Sequence, residues 1–284
     1  MSLLVRELAD DLFLIAGLIE LDARISWVPV ATRGTQSSNC YLIRSRDSAL
    51  LIDTGLAVHR EDILDALKQL VGDRTLSIAT TRVNELDCIG NLGPFMESFR
   101  IQDFYSPTGG PQLPAECKPA SVLRQRVTRG GDSIPVGPSR TLTVVEPAVR
   151  VLRTNWLHDA RTGTMFTSDF LAYTWASEAD AYRYVVARTA DLNDVLPPAV
   201  VAERLLARFD WLGTANRAPA VARLNQIWDA FPIGRVAPGH GLVLEGTALK
   251  AVVHSTTLAL QHMSNWLIGP SGSGREVGVD AKPR

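Results

Sequence analysis

The 284 residues, 46% of them hydrophobic, can bury a sizeable core, and one large domain over residues 1–268 is the expectation. Lys and Arg total 29 against 30 Asp and Glu, a balance that excludes nucleic acid or an anionic membrane surface as the main partner. Three scattered cysteines, Cys40, Cys88 and Cys117, exclude a disulfide framework and fit a reducing, cytoplasmic setting with free or metal-bound thiols.

The N-terminal run carries Arg6, Glu7, Asp10 and Asp11, so it reads as neither a signal peptide nor a membrane span, and no other run approaches ~18 uncharged apolar residues. Strands are predicted at Leu12 to Ile19, Asn39 to Arg44 and Ala49 to Ile52, the last closing on Asp53-Thr54-Gly55. Apolar residues from His59 to Val71 recur at helical spacing, and Ser77 to Thr81 is another short strand. Alternating strands and helices predict a layered α/β protein.

From Thr108 to Arg140 the chain is rich in Gly and Pro and reads as loops and short strands. Strands follow at Thr141 to Val145, Arg150 to Leu152 and Thr164 to Thr167, with a polar turn at His158 to Gly163 between the last two. Amphipathic helices are expected at Pro198 to Asp210, Ala218 to Ala230 and Glu245 to Ile268. Gly234 to Gly241 is a short strand meeting a Gly-rich turn. The apolar face of the last helix can pack within the domain or make a homodimer, and the tail 269–284 is expected to be disordered.

Chemistry concentrates in the run Ile78 to Leu92 (IATTRVNELDCIGNL), where a short strand ends and Arg82, Glu85, Asp87 and Cys88 follow within a few positions. A carboxylate such as Asp87 beside an apolar strand needs a partner, which can be Arg82, a backbone N–H or a metal. Glu85 reads as a solvated loop carboxylate or a substrate-orienting group. Cys88 is either a thiolate ligand or a small buried hydrophobe. His240 lies between Gly239 and Gly241, where backbone can approach a ligand closely, and is the best single candidate for chemistry. Asp53 is expected to buttress the loop or to form its own turn. His158, His59, His254 and His262 read as structural, and Trp156, Trp175 and Trp211 as core anchors. Dinucleotide, phosphate-loop, nucleophile-elbow and Cys-x-x-Cys motifs are absent.

In order, Asn39-Cys40-Tyr41-Leu42-Ile43, Leu51-Ile52-Asp53-Thr54-Gly55, the loop Val83 to Asn91, Phe166-Thr167-Ser168-Asp169 and Ala237-Pro238-Gly239-His240-Gly241 resemble the metallo-β-lactamase fold superfamily across residues 10–245. The resemblance implies an αβ/βα sandwich of two mixed sheets with helices on the outer faces and metals at one edge. Glu85 and the stretch HDARTGTMFTSDF are most similar to the flavodiiron and oxygen-binding diiron branch. In that alignment Val83 falls on the first ligand position and no histidine lies between Arg150 and Asn155, so the ligand set is degenerate. Asp87, Cys88, Asp169 and His240 would fill the second metal position, a donor set suited to one Zn2+ or none.

The leading expectation is a hydrolase-type enzyme acting on a small ester, thioester, lactone or amide, with Arg82, Glu85, Asp87 and His240 as its catalytic groups. A second is a metal-free member of the fold that binds a small molecule or partner, or performs acid/base chemistry, in the same cleft. There Arg82, Arg150 or Arg153 would supply the charge of a missing metal and hold a carboxylate or an anionic substrate. A third, diiron oxygen or nitric oxide chemistry, is opposed by Val83.

Overall fold

Strand residues from Leu12 to Ala16, Cys40 to Ile43 and Ala49 to Ile52 alternate between two apolar environments, which is why these runs are hydrophobic at every position. In β2 (Leu12–Glu20), β3 (Thr35–Arg44) and β4 (Ser48–Ile52), the side chains of Phe13, Ile15, Cys40, Leu42 and Leu51 share one cluster with Ile63, Leu64 and Leu67 of helix α1 (Arg60–Val71). Their neighbours Leu12, Leu14, Tyr41, Ile43, Leu50 and Ile52 point the other way, against Leu142, Leu157, Phe166 and Ala237 of a second sheet. The period-two pattern thus feeds two cores from one layer.

The computed structural model describes residues 3–82, 84–111, 123–183, 185–192 and 197–267. Val83, Cys117 and the tail 269–284 lie outside them. The first sheet is completed by β1 (Leu3–Ala9), β5 (Thr75–Ala79), β6 (Ile101–Ser106) and β7 (Arg124–Val127), arranged β1-β2-β3-β4-β5-β6-β7. It is antiparallel as far as β4 and parallel from β4 to β7. The short helices α2 (Leu86–Ile89) and α3 (Leu92–Ser98) connect β5 to β6.

The second sheet contains β8 (Ser133–Pro135), β9 (Thr141–Val145), β10 (Trp156–Asp159), β11 (Thr164–Ser168), β12 (Arg235–Pro238) and β13 (Leu244–Glu245) in the order β13-β12-β11-β10-β9-β8. Only β11 and β12 run parallel. Helices α4 (Pro198–Arg208), α5 (Ala218–Ala230) and α6 (Gly246–Leu267) cover its outer face. Val201, Leu205, Leu224, Ile227, Val252 and Leu260 pack there with Trp156, Met165 and Val236. The architecture is the expected αβ/βα sandwich, and the apolar face of α6 packs inside the domain.

The strand predicted at Arg150 to Leu152 is instead an irregular turn, because β10 pairs with β9 only from Trp156 onward. Val151 and Leu152 are exposed, so their apolar character carries no strand information. Conversely His158 and Asp159, expected in a polar turn, are buried in β10. His158 packs edge-on against Phe231 with ring centroids 5.0 Å apart. Asp159 pairs with the equally buried Arg140 at 2.5 Å.

Candidate functional site

The chain leaves parallel-paired strands at one edge of the sandwich, and each exit delivers a polar residue. Asp53 follows β4, Thr81 and Arg82 follow β5, Asp169 follows β11 and His240 follows β12. The turns are tight enough to force Asp53, Ser168 and Leu171 into the left-handed region, at φ 57°, 55° and 60°. Backbone strain of this kind persists where surrounding contacts overdetermine it.

Buried Asp53 accepts hydrogen bonds from the Thr81 N–H at 2.8 Å and the Thr81 hydroxyl at 2.6 Å. Burial raises its carboxyl pKa to about 6, against the lowering effect of those bonds. Asp53 therefore buttresses the segment just before Arg82, as expected. Asn91 ties the far end of the loop back, donating to the carbonyls of Thr54 at 2.9 Å and Gly55 at 3.0 Å.

Between these supports Arg82 reaches across the edge. One terminal nitrogen donates to Asp169 Oδ2 at 2.8 Å and the other to Asp87 Oδ2. Arg208, in the last turn of α4, donates to the second oxygen of Asp169. The His240 Nε2 lies 2.8 Å from Asp87 Oδ2. The two guanidinium side chains are each 9% exposed and that of His240 is 2% exposed, so the ion pairs are largely removed from solvent.

Two cations balance two carboxylates, and the titration directions follow from that arrangement. Burial and the charge of Arg208 hold the His240 imidazole below its ordinary range, although Asp87 pulls the other way. The neutral ring then carries its proton on Nε2, facing Asp87. Burial opposes ionisation of Asp87, but Arg82 and His240 outweigh it and keep the carboxyl far below the usual carboxylate range. Burial also opposes the charge of Arg82, whose acidic surroundings more than compensate. For Arg208 burial prevails and lowers the pKa, yet an arginine remains protonated at any working pH.

The four residues expected to bind zinc do not assemble as a donor set. Asp87, Asp169 and His240 come together, but around the guanidinium of Arg82. Among the described residues no three His, Cys, Asp or Glu side chains converge as metal ligands would. Cys88 is fully buried on the α1 side of the first sheet, with its sulfur 3.9 Å from the Thr81 hydroxyl. Burial, together with nearby Asp53 and Asp87, pushes its thiol far up, and the side chain packs in the apolar cluster beneath α1 instead of joining Asp87, Asp169 and His240. The donors present do not fit a zinc ion.

Glu85 is half-buried at the rim, its carbonyl accepting from the N–H groups of Cys88 and Ile89, and burial raises the pKa of its carboxyl. Arg150 and Arg153 do not join the cluster. Arg150 instead faces Glu146 at 3.9 Å on the surface. The glycines beside His240 serve packing, not ligand access. Gly241 has φ 80° and donates to the Ser37 carbonyl at 3.0 Å, and any Cβ there would strike the Thr174 carbonyl.

Two members of the site carried no sequence signal. Arg208 closes a helix, where a cation is ordinary because it complements the helix dipole. Trp27 lies in an irregular loop, yet its ring centroid is 4.9 Å from that of His240 and 5.3 Å from the Arg208 guanidinium carbon. Its indole N–H donates to Gln36 at 2.8 Å, which fixes the ring over the cluster. Beneath it the Nδ1 of His240, the Nε of Arg82 and one terminal nitrogen of Arg208 are buried without a partner among the described residues.

Solved structures similar to this chain in fold include flavodiiron proteins. The flavodiiron core of Flv1 from Synechocystis sp. PCC6803 superposes with a TM-score of 0.67 at 17% identity, over 92% of this chain and 61% of that one. A mutant flavo di-iron protein from Thermotoga maritima gives 0.66 at 16%, over 91% and 62%. A fragment of a putative diflavin flavoprotein from Nostoc sp. PCC 7120 gives 0.65 at 16%, over 93% and 98%. The fold is therefore that of the metallo-β-lactamase-like core of flavodiiron proteins. The chain spans about 60% of the length of the first two. No family model and no curated protein matches it.

Proposed function

We propose that this protein is a metal-independent binding module built on the metallo-β-lactamase-like core, in which the guanidinium groups of Arg82 and Arg208 take over the charge that metal ions supply in metal-dependent members of the fold. The observation that carries this reading is the bridge from Arg82 to both Asp87 and Asp169, with Arg208 on the remaining oxygen of Asp169. A guanidinium satisfies carboxylates through planar paired donors and occupies the space between them, so the same carboxylates cannot also converge on a cation. In this reading Asp87, Asp169 and His240 serve the ion-pair network and Cys88 the apolar core. The buried polar atoms left unpaired beneath Trp27 support a role in binding, since such atoms call for a partner.

Metal analysis of protein purified without chelator tests the reading. Well under one zinc or iron per chain, with a melting temperature unchanged by EDTA, is expected. One zinc per chain lost on His240→Ala would restore the hydrolase reading, and two irons per chain would favour a diiron centre like that for which the structural neighbours are named.

A further inference from the structure

Next to the guanidinium cluster, but outside it, the loops after β7 and before β10 enclose a recess of about 180 Å3 lined by Thr128, Arg129, Glu146, Arg150, Arg153 and Asn155. Its back wall is built. Asn155 donates from its side-chain amide to the Thr128 carbonyl at 3.1 Å and hydroxyl at 2.9 Å, and from its backbone N–H to the Thr81 carbonyl at 2.9 Å. Thr154 pairs with Arg82 in an isolated β-bridge, which fixes the recess against the segment that forms the cluster. Gly130 lets the two loops close up, since a Cβ there would press on Glu146 at 3.2 Å.

The mouth is strongly cationic. Three arginines face one carboxylate, a local excess of two positive charges. Glu146 is itself committed loosely, at 3.9 Å from Arg150, and both are solvent-exposed, so that pair is worth little. The guanidinium groups of Arg129 and Arg153 have no acidic partner among the described residues. Unpaired arginines gathered at one concavity, backed by buried Thr and Asn side chains, present the forked donors that recognise tetrahedral or planar oxyanions.

We propose that this recess binds the phosphate dianion of a small phosphorylated molecule or of free phosphate. The local charge excess matches a dianion. The volume admits a headgroup but falls below the ~300–1,000 Å3 of a pocket that would enclose a drug-sized ligand, so any organic part extends into solvent. This deepens the binding reading by naming a ligand class, and it does not depend on the ion pairs of Arg82.

The test is a calorimetric and thermal-shift titration of chelator-treated protein with inorganic phosphate and, separately, with glycerol phosphate, at constant ionic strength set by chloride. Saturable binding with a Kd of about 1 mM or tighter is expected, weakened roughly 10-fold or more by Arg153→Gln and by Arg129→Gln. Binding should be unaffected by Arg46→Gln, a change at a side chain 93% exposed in the β3–β4 turn. Arg129, Arg150 and Arg153 are exposed, so the variants should melt as the wild type does without phosphate. Tighter binding of glycerol phosphate assigns a phosphate monoester and tighter binding of inorganic phosphate assigns the free ion, and either supports the site. No saturation by either compound, or wild-type affinity in both variants, overturns it. Saturable binding in a protein that nonetheless carries stoichiometric metal would retain the recess and remove the metal-independent reading alone.

Discussion

Arg82 carries more of the site than any other residue, because among the described residues its guanidinium alone donates to both Asp87 and Asp169. Replacing it with alanine would leave Asp87 with His240 alone and Asp169 with Arg208 alone, both carboxylates still mostly buried. Removing one partner from a buried ion pair costs about 3–5 kcal/mol, since the remaining charge keeps its desolvation penalty. Urea unfolding of Arg82→Ala should show a loss of that size. A loss below about 1 kcal/mol would mean the pairs are solvated and weak. At this scale the sequence was partly legible. The need of Asp87 for a partner and the candidacy of Arg82 followed from adjacency in one loop. Arg208 could not be read, because a cation ending a helix has an ordinary explanation.

The elements converge on the site through close packing of the first sheet on its helices. Gly17 in β2 lies directly over the ring of His59, the residue preceding α1, and a Cβ at position 17 would collide with that ring. His59 in turn sits 3.2 Å from the Leu18 carbonyl through Nε2, so the ring cannot swing away without losing a bond. Gly17→Ala should destabilise by about 1–3 kcal/mol, the usual range for overpacking. The double variant Gly17→Ala/His59→Ala should recover part of the loss, and a double-mutant cycle by thermal denaturation measures the coupling. Additive effects would show that the two residues do not press on each other. The period-two runs made β2, β3 and β4 legible as strands, and helical spacing located α1, α5 and α6 to within a residue or two. Spacing misplaced β10, because the alternation at Val149 to Leu152 imitates a strand where no neighbour is available to pair.

Across the whole molecule the two sheets are joined by apolar packing and by a buried polar staple. Arg140 donates to both oxygens of Asp159, at 3.2 and 2.5 Å, and reaches the Asp10 carbonyl in the turn between β1 and β2 at 3.4 Å. Burial works against ionisation of Asp159, but the hydrogen bonds from Arg140 and Thr162 prevail and hold its carboxyl below the ordinary range. A depressed carboxyl binds protons more readily when the chain is unfolded, where its pKa is about 3.9. Its contribution to stability is therefore complete above about pH 5 and is lost as pH falls through the folded value. Asp159→Asn should destabilise at pH 7, leaving Arg140 unpaired, and the difference from wild type should shrink between pH 5 and pH 3. A difference independent of pH in denaturant titrations would count against an ionised Asp159.

The sequence alone determined the layers and the part of the site made by Arg82, Asp87, Asp169 and His240, but not Arg208 or Trp27. Continuously apolar runs such as Leu12 to Ile19 and Ala49 to Ile52 require cover on both faces, and the strand exits at Asp53, Arg82, Asp169 and His240 are written in local turn chemistry. Tertiary structure alone decided the electrostatic pairing. Arg82 and Asp169 are 87 positions apart, and Arg208 is a further 39 positions beyond Asp169. Which cation neutralises which carboxylate depends on where the ends of parallel strands in two different sheets are brought together, and periodicity does not encode that distance. Three-dimensional packing likewise put Cys88 among the apolar side chains between the first sheet and α1, a placement that its position in a linear motif does not encode.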